Sequence, residues 1–274
     1  MRKIHANRSQ IDHASRSIRI EAHVTQRCNA RCQHCSAGVG YVSFEDTDMT
    51  PGQMKKAVDL LIEQKIRVTR FTLCGGEPVL NRHLQDLINE IDRLRTLRWG
   101  RVLSNGMPVT DDLRAKIKLP KRFTWEINPL DDPNDPLSGK NNSKKRPNRR
   151  IHYPFWISPA DIGKKADFEH CTVRGWCGIG LDASGFSICG KAVMFGRMFG
   201  IDPTIKEGDI LTHVRTPINE ICQHCQYGLV GGKKEERAIF QRYKAGELPE
   251  VSETFQKAFE GHKEHGDLVQ LELI

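Results

Sequence analysis

The fold of this 274-residue chain is decided by the stretch Ser17-Ile-Arg-Ile-Glu-Ala-His-Val-Thr-Gln-Arg-Cys28-Asn-Ala-Arg-Cys32-Gln-His-Cys35. Apolar and polar side chains alternate over residues 18–24, which is the pattern of a half-buried β-strand. Three cysteines then follow within eight residues, and no further cysteine or histidine follows at close range. The sequence therefore predicts a strand that leads directly into a loop with three soft thiolate ligands.

Strand and helix patterns alternate after this loop, which predicts parallel strands joined by right-handed crossovers. A helix is expected to begin at Thr50-Pro51-Gly52-Gln53, where Thr50 and Gln53 can form a capping box. Further strands are predicted at 70–74, 101–103, 123–128 and 152–157, and further helices at 84–97 and 111–117. About five strands are too few to close an eight-stranded barrel. The predicted fold class is thus α/β, with an open, partial parallel β/α barrel of the TIM type.

Two glycine-containing turns follow two of the predicted strands. Gly75-Gly76-Glu77-Pro78 ends the second strand, and Ser104-Asn105-Gly106 ends the third. The carboxyl ends of parallel strands meet at one edge of such a sheet. We therefore expect the cysteine loop and both turns to meet at one mouth.

This combination of motifs resembles the radical S-adenosylmethionine (radical SAM) enzymes. The resemblance implies that a [4Fe–4S] cluster is held by Cys28, Cys32 and Cys35 and binds S-adenosylmethionine at its fourth iron. It implies cofactor contacts from Gly75, Gly76, Glu77, Ser104, Asn105 and His34, the last standing where the family usually has an aromatic residue. Reductive cleavage of the cofactor would give a 5′-deoxyadenosyl radical. A zinc site is the alternative, although zinc favours four protein ligands.

Five more cysteines lie toward the C-terminus: Cys171, Cys177, Cys189, Cys222 and Cys225. Residues 182–185 are typical of a hairpin turn between Cys177 and Cys189. The group resembles the auxiliary-cluster modules called SPASM and twitch. Five thiolates suit one auxiliary [4Fe–4S] cluster, which implies a twitch-like module and leaves open which four cysteines bind it. A structural zinc site is again the alternative.

The predicted domains are a partial barrel over 1–170 and a SPASM/twitch-like module with C-terminal helices over 171–274. Within the barrel, residues 129–150 are predicted to be a basic loop insertion. It carries six cationic residues and no acidic residue after position 138: Lys140, Lys144, Lys145, Arg146, Arg149 and Arg150. One interpretation is that this loop binds a phosphorylated or nucleic-acid substrate. The interpretation that we favour is a solvated loop without such a role.

Composition argues against a membrane-spanning or a secreted protein. The chain is 38% apolar and 28% charged, with a formal charge of +8. It contains no apolar run long enough for a membrane span and no signal-peptide pattern near its start. We therefore expect a cytoplasmic protein without a membrane partner.

The predicted function is that of a radical SAM enzyme and oxidoreductase. One concrete hypothesis is a dehydrogenation in which an auxiliary [4Fe–4S] cluster accepts an electron, with a flavodoxin or ferredoxin as reductant. The substrate would be a small molecule or a peptide, and a ribosomal-peptide maturase of the SPASM type is the second hypothesis. The third is a non-catalytic iron–sulfur or zinc protein that binds nucleic acid, which would leave both glycine-containing turns unexplained.

Overall fold

The computed structural model describes residues 16–30, 35–39, 48–107, 110–127, 155–171, 173, 177–205, 208–213 and 216–263. The N-terminal elements are β1 (Ser17–Thr25), α1 (Pro51–Glu63), β2 (Arg67–Gly75), α2 (Leu84–Asp92), β3 (Trp99–Ser104), α3 (Asp111–Ala115) and β4 (Phe123–Ile127). The C-terminal elements are β5 (Ile179–Asp182), β6 (Gly185–Ser187), α4 (Ala192–Phe199), α5 (Ile210–His213), α6 (Asn219–Cys222), α7 (Lys233–Lys244) and α8 (Glu253–Lys263).

The strands form one sheet in the order β4-β3-β2-β1-β5-β6. The ladders from β4 through β5 are parallel, and β6 pairs antiparallel with β5. The prediction of an open, mostly parallel α/β sheet is therefore confirmed. Strand β1 lies inside the sheet, so the loop that follows it opens between the ends of β2 and β5.

The fifth parallel strand is not where the sequence predicted it. In the part of 152–157 that the structure describes, residues 155–157 form no strand. Phe155 and Trp156 instead pack in an aromatic cluster with Phe195 of α4 and Phe255 of α8. The fifth strand is β5, the first arm of the hairpin expected around 182–185. The hairpin of the predicted C-terminal module thus extends the sheet of the barrel.

The hydrophobic core lies between the sheet and helices α1 and α2. Helix α1 begins at Thr50, whose hydroxyl and backbone form the expected capping box with Gln53. The outer face of β1, which packs in this core, carries four residues that are fully buried: Ile18, Ile20, Ala22 and Val24. The alternating residues of β1 lie on the inner face of the sheet: Arg19, Glu21 and His23.

Two expectations concern parts of the chain that the structure describes incompletely. The basic loop of 129–150, with its six cationic residues, lies outside the described residues. Among the helices in the described ranges, none has the length and apolar character that a membrane span requires.

Candidate active site

The turn at Gly75 and Gly76 lies against the end of β1. The Gly76 N–H donates to the Thr25 carbonyl at 2.8 Å, and the Glu77 N–H donates to the Arg27 carbonyl at 2.8 Å. A Cβ on Gly76 would lie 2.1 Å from the Arg27 carbonyl oxygen, and one on Gly75 would lie 2.3 Å from that of Thr25. Gly75 also has a φ of +120°. Glycine is required at both positions because the two backbones are in contact.

An ion pair and hydrogen bonds hold both ends of the cysteine loop next to this turn. Arg27 forms an ion pair with Asp48, and Thr25 Oγ1 donates to Asp48 Oδ1 at 2.6 Å. Asn81 Nδ2 donates to the Val24 carbonyl at 2.7 Å and the Met49 carbonyl at 3.0 Å. Residues 27 and 48 are therefore held together although 20 residues separate them.

The structure describes part of the predicted cluster loop. Cys28 and Cys35 are half-buried, and neither forms a disulfide. Cys32 and His34 lie outside the described residues.

Asn105 connects the end of β3 to this loop. Its Nδ2 donates to Asn29 Oδ1 at 2.7 Å and lies 3.9 Å from Cys28 Sγ. Its Oδ1 accepts from the Met107 N–H at 2.9 Å, which fixes the amide plane. The structure thus brings the cysteine loop and the two turns after β2 and β3 to one edge of the sheet.

Glu77 braces the site from inside the protein. Its side chain is fully buried and its Oε2 accepts from the Asn105 N–H at 2.7 Å. Burial raises the pKa of this carboxyl, while hydrogen bonds from Asn105 and from the buried Ser104 hydroxyl oppose the shift. The Glu77 carboxyl group therefore links the turn after β2 to the turn after β3.

A buried charged cluster, Glu21–His23–Lys191, lies on the inner face of the sheet. Glu21 Oε1 is 3.2 Å from Lys191 Nζ and 3.3 Å from His23 Nε2, and the three side chains are at most 10% exposed. Burial opposes the charge of Glu21, yet the Lys191 ammonium and the His23 hydrogen bond hold its pKa well below the ordinary value. Glu21 likewise keeps the pKa of Lys191 raised despite burial. The sequence analysis did not predict this cluster. The charged residues that alternate with apolar ones along β1 were the feature that could have indicated it.

Cys74 completes a group of metal-type ligands with Glu21 and His23, whose donor atoms lie within 4.8 Å of one another. Burial and the neighbouring Glu21 raise the pKa of the Cys74 thiol well above its usual value, so the thiol stays protonated. The Glu21 carboxylate is already compensated by Lys191. A cation would have to displace that ammonium, which makes this group a poor cation site.

Four of the five C-terminal cysteines line one cavity: Cys171, Cys189, Cys222 and Cys225. Apolar side chains complete much of its wall, among them Phe168, Ile188, Phe195 and Ile221. Burial and then Cys171 raise the pKa of Cys189 to about 12. Burial and the other three thiols raise the pKa of Cys225 well above its usual value. Thiols that line one buried cavity become thiolates only if a cation compensates them, so this cavity has the chemistry of a metal site.

Cys177, the fifth of the predicted candidate ligands, lies apart from these four. Its thiol hydrogen-bonds Glu21, and burial and then this carboxylate raise the pKa of Cys177. Cys177 does not line the four-cysteine cavity. The reason is topological, since Cys177 lies two residues before β5, which pairs with β1, and its thiol is thereby brought to Glu21 of β1.

The Radical SAM superfamily profile matches residues 23–182, more than half of the sequence. Together with the open parallel sheet, this shows that the chain belongs to the Radical SAM superfamily. Membership implies a [4Fe–4S] cluster and S-adenosylmethionine as cofactors. The match begins within β1 and ends with β5, so it covers the strands that surround the site.

Two curated relatives illustrate the range of the superfamily. GTP 3′,8-cyclase of Aquifex aeolicus (strain VF5) is 27% identical over 174 residues, covering 61% of this chain and 51% of the relative. The S-adenosylmethionine-dependent nucleotide dehydratase of Selenomonas ruminantium is 34% identical over 117 residues, covering 41% of each chain. This chain spans about half the length, or less, of the curated relatives it matches.

Among solved structures, BtrN in complex with AdoMet and 2-DOIA matches 38% of this chain and 43% of that chain at 22% identity. The TM-score is 0.31, so this superposition carries no argument about function.

We predict that Gly76→Ala destabilises the protein by about 1–3 kcal/mol, because its Cβ must displace the Arg27 backbone. Urea unfolding monitored by circular dichroism measures this change. Gly52→Ala is the matched control, since a Cβ there meets nothing within 4 Å. Equal stability of the two variants would contradict the close contact described for Gly76.

We predict that Glu21→Gln costs about 3–5 kcal/mol, because the buried Lys191 ammonium loses its partner. Adding Lys191→Met should restore much of the loss. Because the pKa of Glu21 is depressed on folding, its stabilisation is complete above the usual carboxyl pKa of 4.5 and is lost only at lower pH. Urea midpoints between pH 5 and pH 8 should therefore show a constant difference.

The exposed pair Glu253–Lys257 offers the control, and Glu253→Gln should leave the midpoint unchanged. A Glu21→Gln protein as stable as this control would show that the buried pair contributes nothing.

Proposed function

We propose that this chain is a radical SAM enzyme whose S-adenosylmethionine site is formed by the loop after β1 and the turns after β2 and β3. The observation that carries the proposal is the set of contacts among them, in which Asn105 reaches Cys28 and the Gly76 turn lies on Arg27. The loop ends are fixed by Arg27 and Asp48, so the thiol-bearing segment starts from a rigid edge.

The residues at this site suit a [4Fe–4S] cluster with S-adenosylmethionine. Cys28, Cys32 and Cys35 would hold a [4Fe–4S] cluster, and the backbone at Gly75 and Gly76 would approach the cofactor closely because neither residue has a side chain. Ser104 and Asn105 would supply polar contacts beside it. Both are already oriented, Ser104 by its bond to Glu77 and Asn105 by its bond to Asn29.

The four-cysteine cavity fits one auxiliary [4Fe–4S] cluster held by Cys171, Cys189, Cys222 and Cys225. Four thiolate ligands and an apolar wall suit such a group, and Cys177 is the cysteine left over. In this proposal the auxiliary module consists of residues from 171 onward, with its hairpin paired to β1 of the barrel.

We further propose an oxidation of the substrate, of the dehydrogenation type. When bound, the cluster with S-adenosylmethionine would supply a 5′-deoxyadenosyl radical that takes a hydrogen atom from the substrate. The auxiliary cluster would accept the remaining electron. The substrate must also lose a proton. His23, whose Nε2 lies 3.3 Å from Glu21 Oε1 on the inner face, is the acceptor that we propose for that proton.

Iron content and cofactor cleavage test the assignment of the cysteines. Anaerobically purified, reconstituted protein should contain about eight irons per chain, as two [4Fe–4S] clusters require. Cys222→Ser should remove about half of that iron and leave 5′-deoxyadenosine formation in the presence of dithionite. Replacing Cys28, Cys32 and Cys35 by alanine should remove the other half and abolish 5′-deoxyadenosine formation.

Cys177→Ser is the matched control and should keep the full complement of iron. Stoichiometric zinc in place of iron, or loss of iron in Cys177→Ser, would sink the ligand assignment. Retained cofactor cleavage in the triple alanine variant would sink the proposed function itself.

A further inference from the structure

Two asparagine side chains connect the end of β3 to the first cysteine of the loop. Asn105 follows directly after β3, and Asn29 follows directly after Cys28. Asn105 Nδ2 donates to Asn29 Oδ1 at 2.7 Å and also lies at hydrogen-bonding distance from Cys28 Sγ, 3.9 Å away. An amide NH2 group has two N–H bonds, and these two acceptors account for both. The Cys28 sulfur therefore has an amide donor beside it that comes from another strand.

A backbone donor fixes the orientation of both amides. The Met107 N–H donates to Asn105 Oδ1 at 2.9 Å. A backbone N–H cannot accept, so the amide oxygen of Asn105 must face Met107 and its nitrogen must face the cysteine loop. Asn29 is oriented in turn, because its oxygen accepts from Asn105 and its own NH2 group lies on the other side of the amide.

The NH2 group of Asn29 has no acceptor among the described residues. Its Nδ2 is buried and forms no hydrogen bond there. Buried donors in folded proteins are nearly always satisfied, because leaving one without an acceptor costs free energy. Asn29 is the neighbour of Cys28 in the chain, and an iron–sulfur cluster at Cys28 would bring sulfur acceptors to this place.

The backbone of Asn105 is fixed as well as its side chain. Its N–H donates to Oε2 of the fully buried Glu77 at 2.7 Å. The amide donor is therefore held in place before any ligand arrives. A donor that is already oriented stabilises new negative charge without having to reorganise.

Hydrogen bonds to sulfur are one of the factors that set the reduction potential of an iron–sulfur cluster. Reduction adds an electron, and N–H dipoles that point at the sulfur atoms stabilise the more negative form. Cys28 and Asn105 are both half-buried, so water screens such a dipole less than it would at an exposed site. Amide donors in this position therefore make the cluster easier to reduce.

We propose that Asn105 and Asn29 are positioning residues that donate N–H groups to the sulfur atoms at Cys28 and thereby raise the reduction potential of the cluster that binds S-adenosylmethionine. This inference rests on the proposed function, because it takes Cys28 as a cluster ligand, and it adds what sets the ease of reduction. The electron comes from the flavodoxin or ferredoxin, or from dithionite in the assay. Neither asparagine gains or loses a bond.

The potential is measured on the anaerobic, reconstituted chain by electron paramagnetic resonance at a series of poised potentials. The signal to follow is the one that changes when S-adenosylmethionine is added, which separates this cluster from an auxiliary one. Asn105→Ser should lower the equilibrium constant for reduction about tenfold, which is about 59 mV for one electron. The serine hydroxyl can still accept from the Met107 N–H, so the turn is kept while the amide donor is lost.

Asn105→Ala separates the amide donor from the turn. It should lower the potential as much as Asn105→Ser does, and it should also lower the urea midpoint because the turn loses its acceptor. If Asn105 only held the turn, Asn105→Ser would keep the wild-type potential and Asn105→Ala alone would change it. Asn89→Ser is the matched control, since Asn89 is exposed on α2 and should leave the potential unchanged.

Asn29→Ala tests the second amide without touching the turn. It should lower the equilibrium constant for reduction about threefold, and its effect should not add fully to that of Asn105→Ser because the two side chains are in contact. If Asn105→Ser takes up no iron, the potential of Asn29→Ala decides. Wild-type potentials in the variants that hold the cluster would overturn the inference and leave the proposed function to stand on 5′-deoxyadenosine formation by the wild type. A wild type without any signal that responds to S-adenosylmethionine would overturn both.

Discussion

The arrangement of the site depends on one backbone contact, that of Gly75 and Gly76 with Thr25 and Arg27. Two hydrogen bonds carry the β1–β2 pairing past the ends of the strands, and the available distance leaves no room for a Cβ. Because the contact lies where β1 turns into the cysteine loop, it sets where Cys28 begins. It also turns Glu77 inward, where its carboxylate meets the Asn105 N–H. The ends of three strands are thus coupled through one pair of glycines.

The inner face obeys a second constraint, which is that buried charge must be compensated. Glu21 is surrounded by the groups that can do this, Lys191 and His23, and the directions of its pKa shift and that of Lys191 agree with a charged pair. Lys191 follows Cys189 by two residues in the loop between β6 and α4. A Cβ on Gly190 would lie 2.6 Å from Glu21 Oε1, so this loop is in direct contact with the inner face. The wall of the four-cysteine cavity and the interior of the barrel therefore share residues.

Local patterns in the sequence were sufficient for much of the fold. Alternation along 18–24 predicted β1, the capping box predicted the start of α1, and strand topology predicted that the turns at Gly75 and Ser104 face one mouth. The hairpin around 182–185 was predicted, but not that its first arm would be the fifth parallel strand. That arm, Ile179–Asp182, is short and glycine-containing, whereas the apolar run at 155–157 resembles a strand but is buried by helices. No local signal reports which element will cover an apolar run.

The same limit applies to the site. Cys177 and Cys189 look equivalent in sequence, and only the position of β5 beside β1 separates the first from the four-cysteine cavity. Lys191, the partner of Glu21, is 170 residues away, so the sequence showed the charge on β1 but not the pair that it forms. The turns could be predicted because each directly follows its own strand. The position of Cys177 and the partner of Glu21 depend instead on how distant segments pair in the folded chain.

The place of β1 in the sheet has a consequence for biosynthesis. This strand is translated before every other strand in the sheet, yet its second neighbour, β5, is translated after β4 and begins at Ile179. A nascent chain must therefore carry β1 with one backbone edge unpaired while more than half of the protein is still being made or is emerging. Unpaired edges of apolar strands invite association with other chains. Pairing of β5 with β1 covers that edge, and the loop after the same hairpin brings Lys191 to Glu21, so one segment covers both the strand edge and the buried carboxylate.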